Sequence, residues 1–213
     1  MICNKHKFVF IHIPKTGGHS VDKYFIQKGL VDDDKWHCTG NQIMKYMGVE
    51  KWKEYQTFTI VRNPWDRMVS EYSWQGGLGK DQIPTPWGDK NVTFKQFLKM
   101  VFNSPHDHHD MNLVRNFDTW YQLQEIKDGH LNDQYSFITD QNNNMIIDNL
   151  IRFEDLNQQF KQMLTKVGLP PENLPHLNKS KHKHYTEYYD QESIDLVACR
   201  FKRDIETLGY DFQ

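Results

Sequence analysis

Lys7-Phe8-Val9-Phe10-Ile11-His12-Ile13, followed directly by Pro14-Lys15-Thr16-Gly17-Gly18-His19-Ser20, is the stretch that decides the fold. Its first half is short, mostly apolar and rich in β-branched and aromatic residues. That composition suits a strand covered on both faces in a parallel sheet. Pro14 and the paired glycines break it. From His19 to Lys28, the residues Val21, Tyr24, Phe25 and Lys28 recur at helical spacing, and Gly29 stands where a helix stops. The chain therefore opens strand, glycine turn, helix.

The same unit recurs further along. Thr57-Phe-Thr-Ile-Val61 predicts a second strand, broken at Arg62-Asn63-Pro64, with a helix over 65–74 and Pro64 near its first position. Met145 to Ile151 predicts a third strand that ends at Arg152-Phe-Glu-Asp155. Leu156, Phe160, Met163, Leu164 and Val167 then mark one helix face, which stops at Gly168. A last helix is predicted over 191–208, with Ile194, Val197, Phe201, Ile205 and Leu208 as its apolar face. Alternating strands and helices imply an α/β fold with a parallel sheet. Residues 76–91, rich in Gly and Pro, and 103–110, rich in His and Asp, read as surface loops. Asn142-Asn-Asn144 reads as a turn between short strands.

Composition narrows the function. A chain of 213 residues favours one domain, and 14% aromatic residues exclude a wholly disordered protein. Lys plus Arg is 26 against 28 Asp plus Glu, a net charge of −2. No global charge advertises nucleic acid or an anionic membrane, so any anion site is local. Cys3, Cys38 and Cys199 are odd in number, widely spaced and without a CxxC pair. They read as free thiols, not as a disulfide framework or zinc ribbon. The apolar run after Lys7 is shorter than a signal-peptide core and ends at Pro14. Nothing approaches the ~18 apolar residues of a membrane span. A soluble, cytoplasmic protein is expected.

The first turn carries chemistry. Gly17 and Gly18 permit close backbone approach to an anion, and the following helix N-terminus offers partial positive charge. Lys15 adds a full charge, and Thr16 and Ser20 add hydroxyl donors. The result is a phosphate cradle in the P-loop style. It is not the G-x-x-x-x-G-K-[ST] loop, because the lysine precedes the glycines. Arg62 stands at the end of the second strand, where ligands of parallel sheets bind, and Ser70 follows about two helical turns on. Together they suit a second phosphate.

Pro14-Lys-Thr-Gly-Gly-His-Ser20 and Arg62-Asn-Pro-Trp-Asp-Arg-Met-Val-Ser-Glu-Tyr72 resemble the two cofactor motifs of sulfotransferases, which use 3′-phosphoadenosine 5′-phosphosulfate (PAPS). The resemblance extends to the carbohydrate sulfotransferases related to heparan sulfate 2-O- and 6-O-sulfotransferases and to small bacterial homologues. It takes in His37-Cys-Thr-Gly40, Ile151-Arg-Phe-Glu-Asp-Leu156, Leu177-Asn-Lys-Ser-Lys-His-Lys-His-Tyr185 and Asp204-Ile-Glu-Thr-Leu-Gly-Tyr-Asp-Phe212, in order along nearly the whole chain. It implies a single P-loop-like sulfotransferase domain over 1–213, with a central parallel sheet flanked by helices. It also implies sulfuryl transfer from PAPS, with PAP as product, to a hydroxyl acceptor, most naturally a carbohydrate.

The residue roles that follow are those the resemblance implies. Thr16, Gly17, Gly18, His19 and Ser20 would line the 5′-phosphate, with His19 standing where Thr or Ser is commoner. Arg62 and Ser70 would hold the 3′-phosphate. Lys179, Ser180 and Lys181 would form a basic loop over the cofactor. Lys15 would stabilise charge on the leaving oxygen. Sulfate carries less charge than a phosphoryl group, so a lysine can serve there without a metal.

Eleven histidines are available as the base that takes the acceptor proton. His37 lies between the two cofactor motifs, where the resembling enzymes place theirs. His12, inside the first strand, reads as a satisfied core residue. His106, His108 and Asp110 have metal-ligand spacing but read as a solvated or substrate-facing loop. Phe153 stands at the third strand's end, suited either to an adenine or to the core. Trp74, Trp87 and Trp120 read as packing residues before sugar platforms. Two rival functions are an ATP-dependent small-molecule kinase and a non-catalytic glycan-binding module. The Arg62/Ser70 pair argues against the first, and Lys15 with His37 against the second.

Overall fold

The computed structural model describes residues 1–74, 93–102, 129–175 and 183–213. The chain groups into two compact units: Met1–Arg62 with Gln134–Lys179, and Asn63–Asp133 with Ser180–Gln213.

The first unit is built on a four-stranded sheet in the order β1-β2-β3-β4. Its strands are β1 (Ile2–Cys3), β2 (Phe8–Ile11), β3 (Gln56–Val61) and β4 (Asn149–Arg152). β1 runs antiparallel to β2, a short edge that periodicity did not reveal. β2 and β3 are parallel, with Phe8 opposite Gln56 and Ile11 opposite Thr59. β3 and β4 are parallel, with Phe58 opposite Asn149 and Val61 opposite Arg152. Every residue of β2 is buried, as a strand covered on both faces requires.

The helices of this unit are α1 (Gly18–Gln27), α2 (Gly40–Met47), α3 (Val49–Trp52), α6 (Tyr135–Ile138) and α7 (Leu156–Lys166). Strand residues alternate faces, so Phe8 and Phe10 point together. Phe8 meets Phe25 of α1 at 4.6 Å between ring centroids, Phe10 stacks on Phe58 at 5.0 Å, and Phe25 meets Phe160 of α7 at 5.8 Å. This aromatic layer fixes α1 and α7 on one face of the sheet. The threonines that alternate with these rings on β3 are buried and satisfied. Thr59 Oγ1 donates to the Ile11 carbonyl at 2.6 Å. Thr57 donates its N–H and its hydroxyl to Asp148 Oδ2, both at 2.9 Å.

That last contact explains a difference from expectation. The third strand was predicted over 145–151 and is found at Asn149–Arg152. Met145 pairs instead with Thr139 in an isolated antiparallel bridge. Asp148 turns its carboxylate to β3, and ladder pairing begins only after it. The expected turn at 142–144 lies inside the bridge: Asp140 accepts the N–H groups of Asn142 and Asn144, and Asn143 is left-handed at φ 63°.

The second unit holds α4 (Pro64–Trp74), α5 (Phe94–Phe102), α8 (Gln191–Arg200) and α9 (Lys202–Leu208). The predicted helix over 191–208 is broken at Phe201, whose backbone leaves helical geometry at φ −111°, ψ 31°. The Phe201 ring stays fully buried, so Val197, Phe201 and Leu208 remain one face through the break. Asp190 caps α8 by accepting from Ser193 N–H and pairs with Lys95 of α5. Lys95 and Ser193 together hold the Asp190 carboxyl well below the usual carboxylate range.

At the centre of this unit Arg67 of α4 is fully buried. Its guanidinium donates to the carbonyls of Asn132 at 2.8 Å and His130 at 2.9 Å. His130 Nδ1 in turn lies 2.8 Å from Glu71 Oε2. Burial pushes the Arg67 pKa down, while Asp204, Glu71 and Asp133 oppose that shift, so the cation persists. The cysteines are free, as expected: Cys3 buried, Cys38 half-buried and Cys199 exposed. Among the described residues no helix is long and apolar enough to cross a membrane.

Removing one member of a buried ionic network leaves the others uncompensated. Arg67→Met is expected to lower the unfolding free energy by about 3–5 kcal/mol, measured by urea titration with circular dichroism. A change within the error of that titration would contradict the structural role of Arg67.

Candidate active site

The carboxyl end of β2 runs into the turn that the sequence singled out. Lys15 adopts φ 67° and Gly17 φ 88°, both left-handed. Glycine takes that conformation freely, whereas a lysine there needs support. Two hydrogen bonds supply it. Thr16 Oγ1 donates to the Ile13 carbonyl at 2.9 Å, and Arg62 Nη1 donates to the Lys15 carbonyl at 3.1 Å. Thr16 is fully buried, and its hydroxyl turns inward to hold the turn.

α1 begins at Gly18 with Gly17 as its N-cap. Among the described residues no side chain caps it, and no acidic residue sits in its first turn. The leading N–H groups of a helix need partners. An uncapped N-terminus beside a lysine is a place where an anion completes the structure. Lys15 and Ser20 are half-buried and His19 is exposed at this end.

Phe153, just past β4, joins the turn to Arg62. A Cβ on Gly17 would lie 3.0 Å from its ring, and the Arg62 guanidinium carbon stands 4.0 Å above that ring. Phe153 thus spaces the guanidinium from the glycine turn, a role neither purely adenine-facing nor purely core. Arg62 is itself buried, its backbone clamped by Gln134: Arg62 N–H donates to Gln134 Oε1 at 2.8 Å, and Gln134 Nε2 donates back to the Arg62 carbonyl at 2.8 Å. The structure therefore brings Lys15, Gly17, Arg62 and Phe153 together. Ser70 is half-buried on α4 and belongs to the other unit. Trp74 is exposed at the end of the same helix. Lys179, Ser180, Lys181, His106, His108, Asp110, Trp87 and Trp120 lie outside the described residues.

His37 comes from the segment between α1 and α2. Its backbone is left-handed at φ 53°, immediately before a capping box in which Thr39 Oγ1 accepts from Gln42 N–H and Gln42 Oε1 accepts from Thr39 N–H. Gly40 follows; a Cβ there would stand 3.0 Å from the Phe137 carbonyl. The cap and this close approach fix the backbone just after His37. Its ring lies edge-on to His12 at 4.9 Å between centroids and 5.0 Å from Trp36. Trp36 is 44% exposed and also faces His19 at 6.0 Å.

His12, expected in the core, is buried there, and Asp22, which sequence reasoning did not single out, is buried beside it. His12 Nδ1 stands 2.6 Å from Asp22 Oδ2, with both side chains buried. The contact has the length of an ion pair, although the geometry falls short of an aligned hydrogen bond for either atom. The two polar atoms face one another, shut away from water. A Cβ on Gly18 would lie 2.5 Å from His12 Cδ2 and 2.7 Å from Nε2. The signal in the sequence was Asp22 itself, an acid on α1 between the buried Val21 and the aromatic pair Tyr24-Phe25.

A model of the sulfotransferase family matches residues 1–211. The chain belongs to that family and is an enzyme of sulfuryl transfer, and its α/β fold with a central, mostly parallel sheet fits the assignment. Among curated proteins, none matches the chain.

The contact beneath Gly18 is directly testable. Gly18→Ala is expected to lose about 1–3 kcal/mol of stability, the usual range for overpacking. In a His12→Ala background the same substitution should cost little, because the ring it strikes is gone. Thermal denaturation of the four proteins gives the coupling, and additive losses would contradict the contact.

Proposed function

We propose that the protein transfers the sulfuryl group of PAPS to a hydroxyl group of a carbohydrate, with residues 1–213 acting as one sulfotransferase domain. The observation that carries this reading is the uncapped N-terminus of α1, entered through a left-handed turn that Arg62 braces from the side. That geometry fits a nucleotide with an anionic 5′ end. Phe153 and His12 pack against Gly17 and Gly18 where a Cβ would otherwise stand, and so fix the backbone of the turn.

In this reading Thr16, Gly17, Gly18 and His19 hold the 5′-phosphate through their backbone N–H groups, and Ser20 holds it through its hydroxyl, its own N–H donating to the Gly17 carbonyl at 3.1 Å. Arg62 and Ser70 hold the 3′-phosphate, and Lys179, Ser180 and Lys181 form the basic loop over the nucleotide. Bound PAPS supplies an activated sulfuryl group on a phosphate leaving group. Lys15 offsets the charge that grows on the leaving oxygen, as a fixed cation does without reorganising. No metal is called for. His37 accepts the proton of the acceptor hydroxyl at a ring nitrogen. The exposed Trp36 ring beside His37 offers a flat apolar face of the kind that packs on the C–H face of a sugar, which favours a carbohydrate over a small alcohol.

Incubation with radiolabelled PAPS and a panel of glycans tests the reading. Transfer is expected, and His37→Ala should lower kcat by roughly 10²–10⁴ while PAP affinity by calorimetry stays near wild type. Preferential binding of ATP with Mg²⁺ over PAP, or glycan binding with no transfer, would overturn it.

A further inference from the structure

A buried pair of polar side chains is a poor way to stabilise a core. Well-packed apolar residues of similar volume often do as well or better, and removing one partner is strongly unfavourable. His12 and Asp22 form such a pair within the first unit. Phe10 already stacks on the His12 ring from below, at 5.9 Å between centroids and 29° between planes, extending the Phe10–Phe58 stack. An apolar side chain would have continued that stack with no polar atom to bury. The polar pair therefore calls for another explanation.

Its position supplies one. His12 occupies the point where β2 feeds the glycine turn. On one side its ring lies against the backbone of Gly18, the first residue of α1. On another it meets the edge of His37 at 4.9 Å and 90°, and Trp36 at 4.8 Å. Asp22, one turn into α1, holds the Nδ1 side of the ring at 2.6 Å. The imidazole thus spans from the helix that begins at the anion turn to the segment that carries His37. His37 sits in a left-handed backbone conformation that a non-glycine residue keeps only when its surroundings enforce it.

We propose that His12, oriented by Asp22, is a positioning residue for sulfuryl transfer: it sets where the His37 ring stands relative to the Pro14–Ser20 turn. This rests on the assignment of His37 as base. His12 touches neither donor nor acceptor in this scheme. Asp22 fixes the rotation of the His12 ring, and that ring in turn limits the positions open to His37.

Two variants separate this role from plain core packing. Asp22→Asn keeps the shape and removes the charge. The double variant His12→Phe with Asp22→Leu keeps a ring in the core and removes the buried pair, so it should fold at least as stably as wild type. Both should lower kcat by about tenfold or more, since small misplacements of a reacting group are costly. PAP affinity and the KM for PAPS should stay within about threefold of wild type, because the cofactor turn keeps its own braces. Undiminished kcat in both proteins would overturn the proposal. So would a loss of PAP affinity that matches the loss of rate, since His12 would then support only the turn. The His37 ring-proton resonances of the ligand-free protein give a readout that needs no turnover. Asp22→Asn should move them, and unmoved resonances would overturn the proposal. A wild-type protein that transfers nothing from PAPS would defeat the assigned donor and leave that resonance test standing on its own.

Discussion

The arrangement of the first unit depends on one backbone constraint: the chain must leave β2 through a left-handed turn at Lys15 and Gly17 before α1 can begin. A lysine in that conformation is unfavourable by roughly 1–2 kcal/mol, so the turn persists only where something holds it. The Thr16 hydroxyl pulls it inward to Ile13, and the Arg62 guanidinium draws the Lys15 carbonyl toward β3. Phe153 fills the space that Gly17 leaves, and His12 the space that Gly18 leaves. With these four in place, α1 starts three residues after Lys15, without a side-chain cap among the described residues. That arrangement suits the turn to the anion-binding role proposed for it.

The Arg62-Asn-Pro-Trp-Asp-Arg67 motif divides its labour in a way that residue types alone do not show. Arg62 ends β3 and braces the turn. Asn63 caps α4, its Oδ1 accepting the Trp65 N–H at 3.0 Å while its Nδ2 donates to the Asp211 carbonyl at 2.9 Å. Arg67 never reaches a surface. It holds the carbonyls of His130 and Asn132 and sits among the carboxylates of Glu71, Asp133 and Asp204. One arginine of the motif braces the glycine turn and the other holds the centre of the second unit.

Strong local signals made much of this legible in the sequence. β2, α1, β3, α4 and α7 appear within a residue or two of their predicted limits, because each has a clear apolar period ended by Gly or Pro. β1 was too short to carry a period. The third strand slipped toward its C-terminal end because Asp148 prefers the Thr57 donors on β3 to a place in the ladder, a tertiary choice that no local pattern records. The apolar spacing of the last helix runs unchanged through its break at Phe201, so periodicity was blind to it. In the site, Lys15, the glycines and Arg62 were visible as types in a pattern. The inward turn of Thr16 and the pairing of His12 with Asp22 depend on directions of side chains, and only the folded chain supplies those.

In the proposed function the N-terminus of α1, which no side chain among the described residues caps, holds the cofactor's phosphate end. Titration of isotopically labelled protein with PAP, followed by backbone amide resonances, tests it most directly. The predicted result is that the largest and saturable shifts fall on the amides of Thr16, Gly17, Gly18, His19 and Ser20. Saturable binding that leaves those amides in place and moves others instead would contradict it.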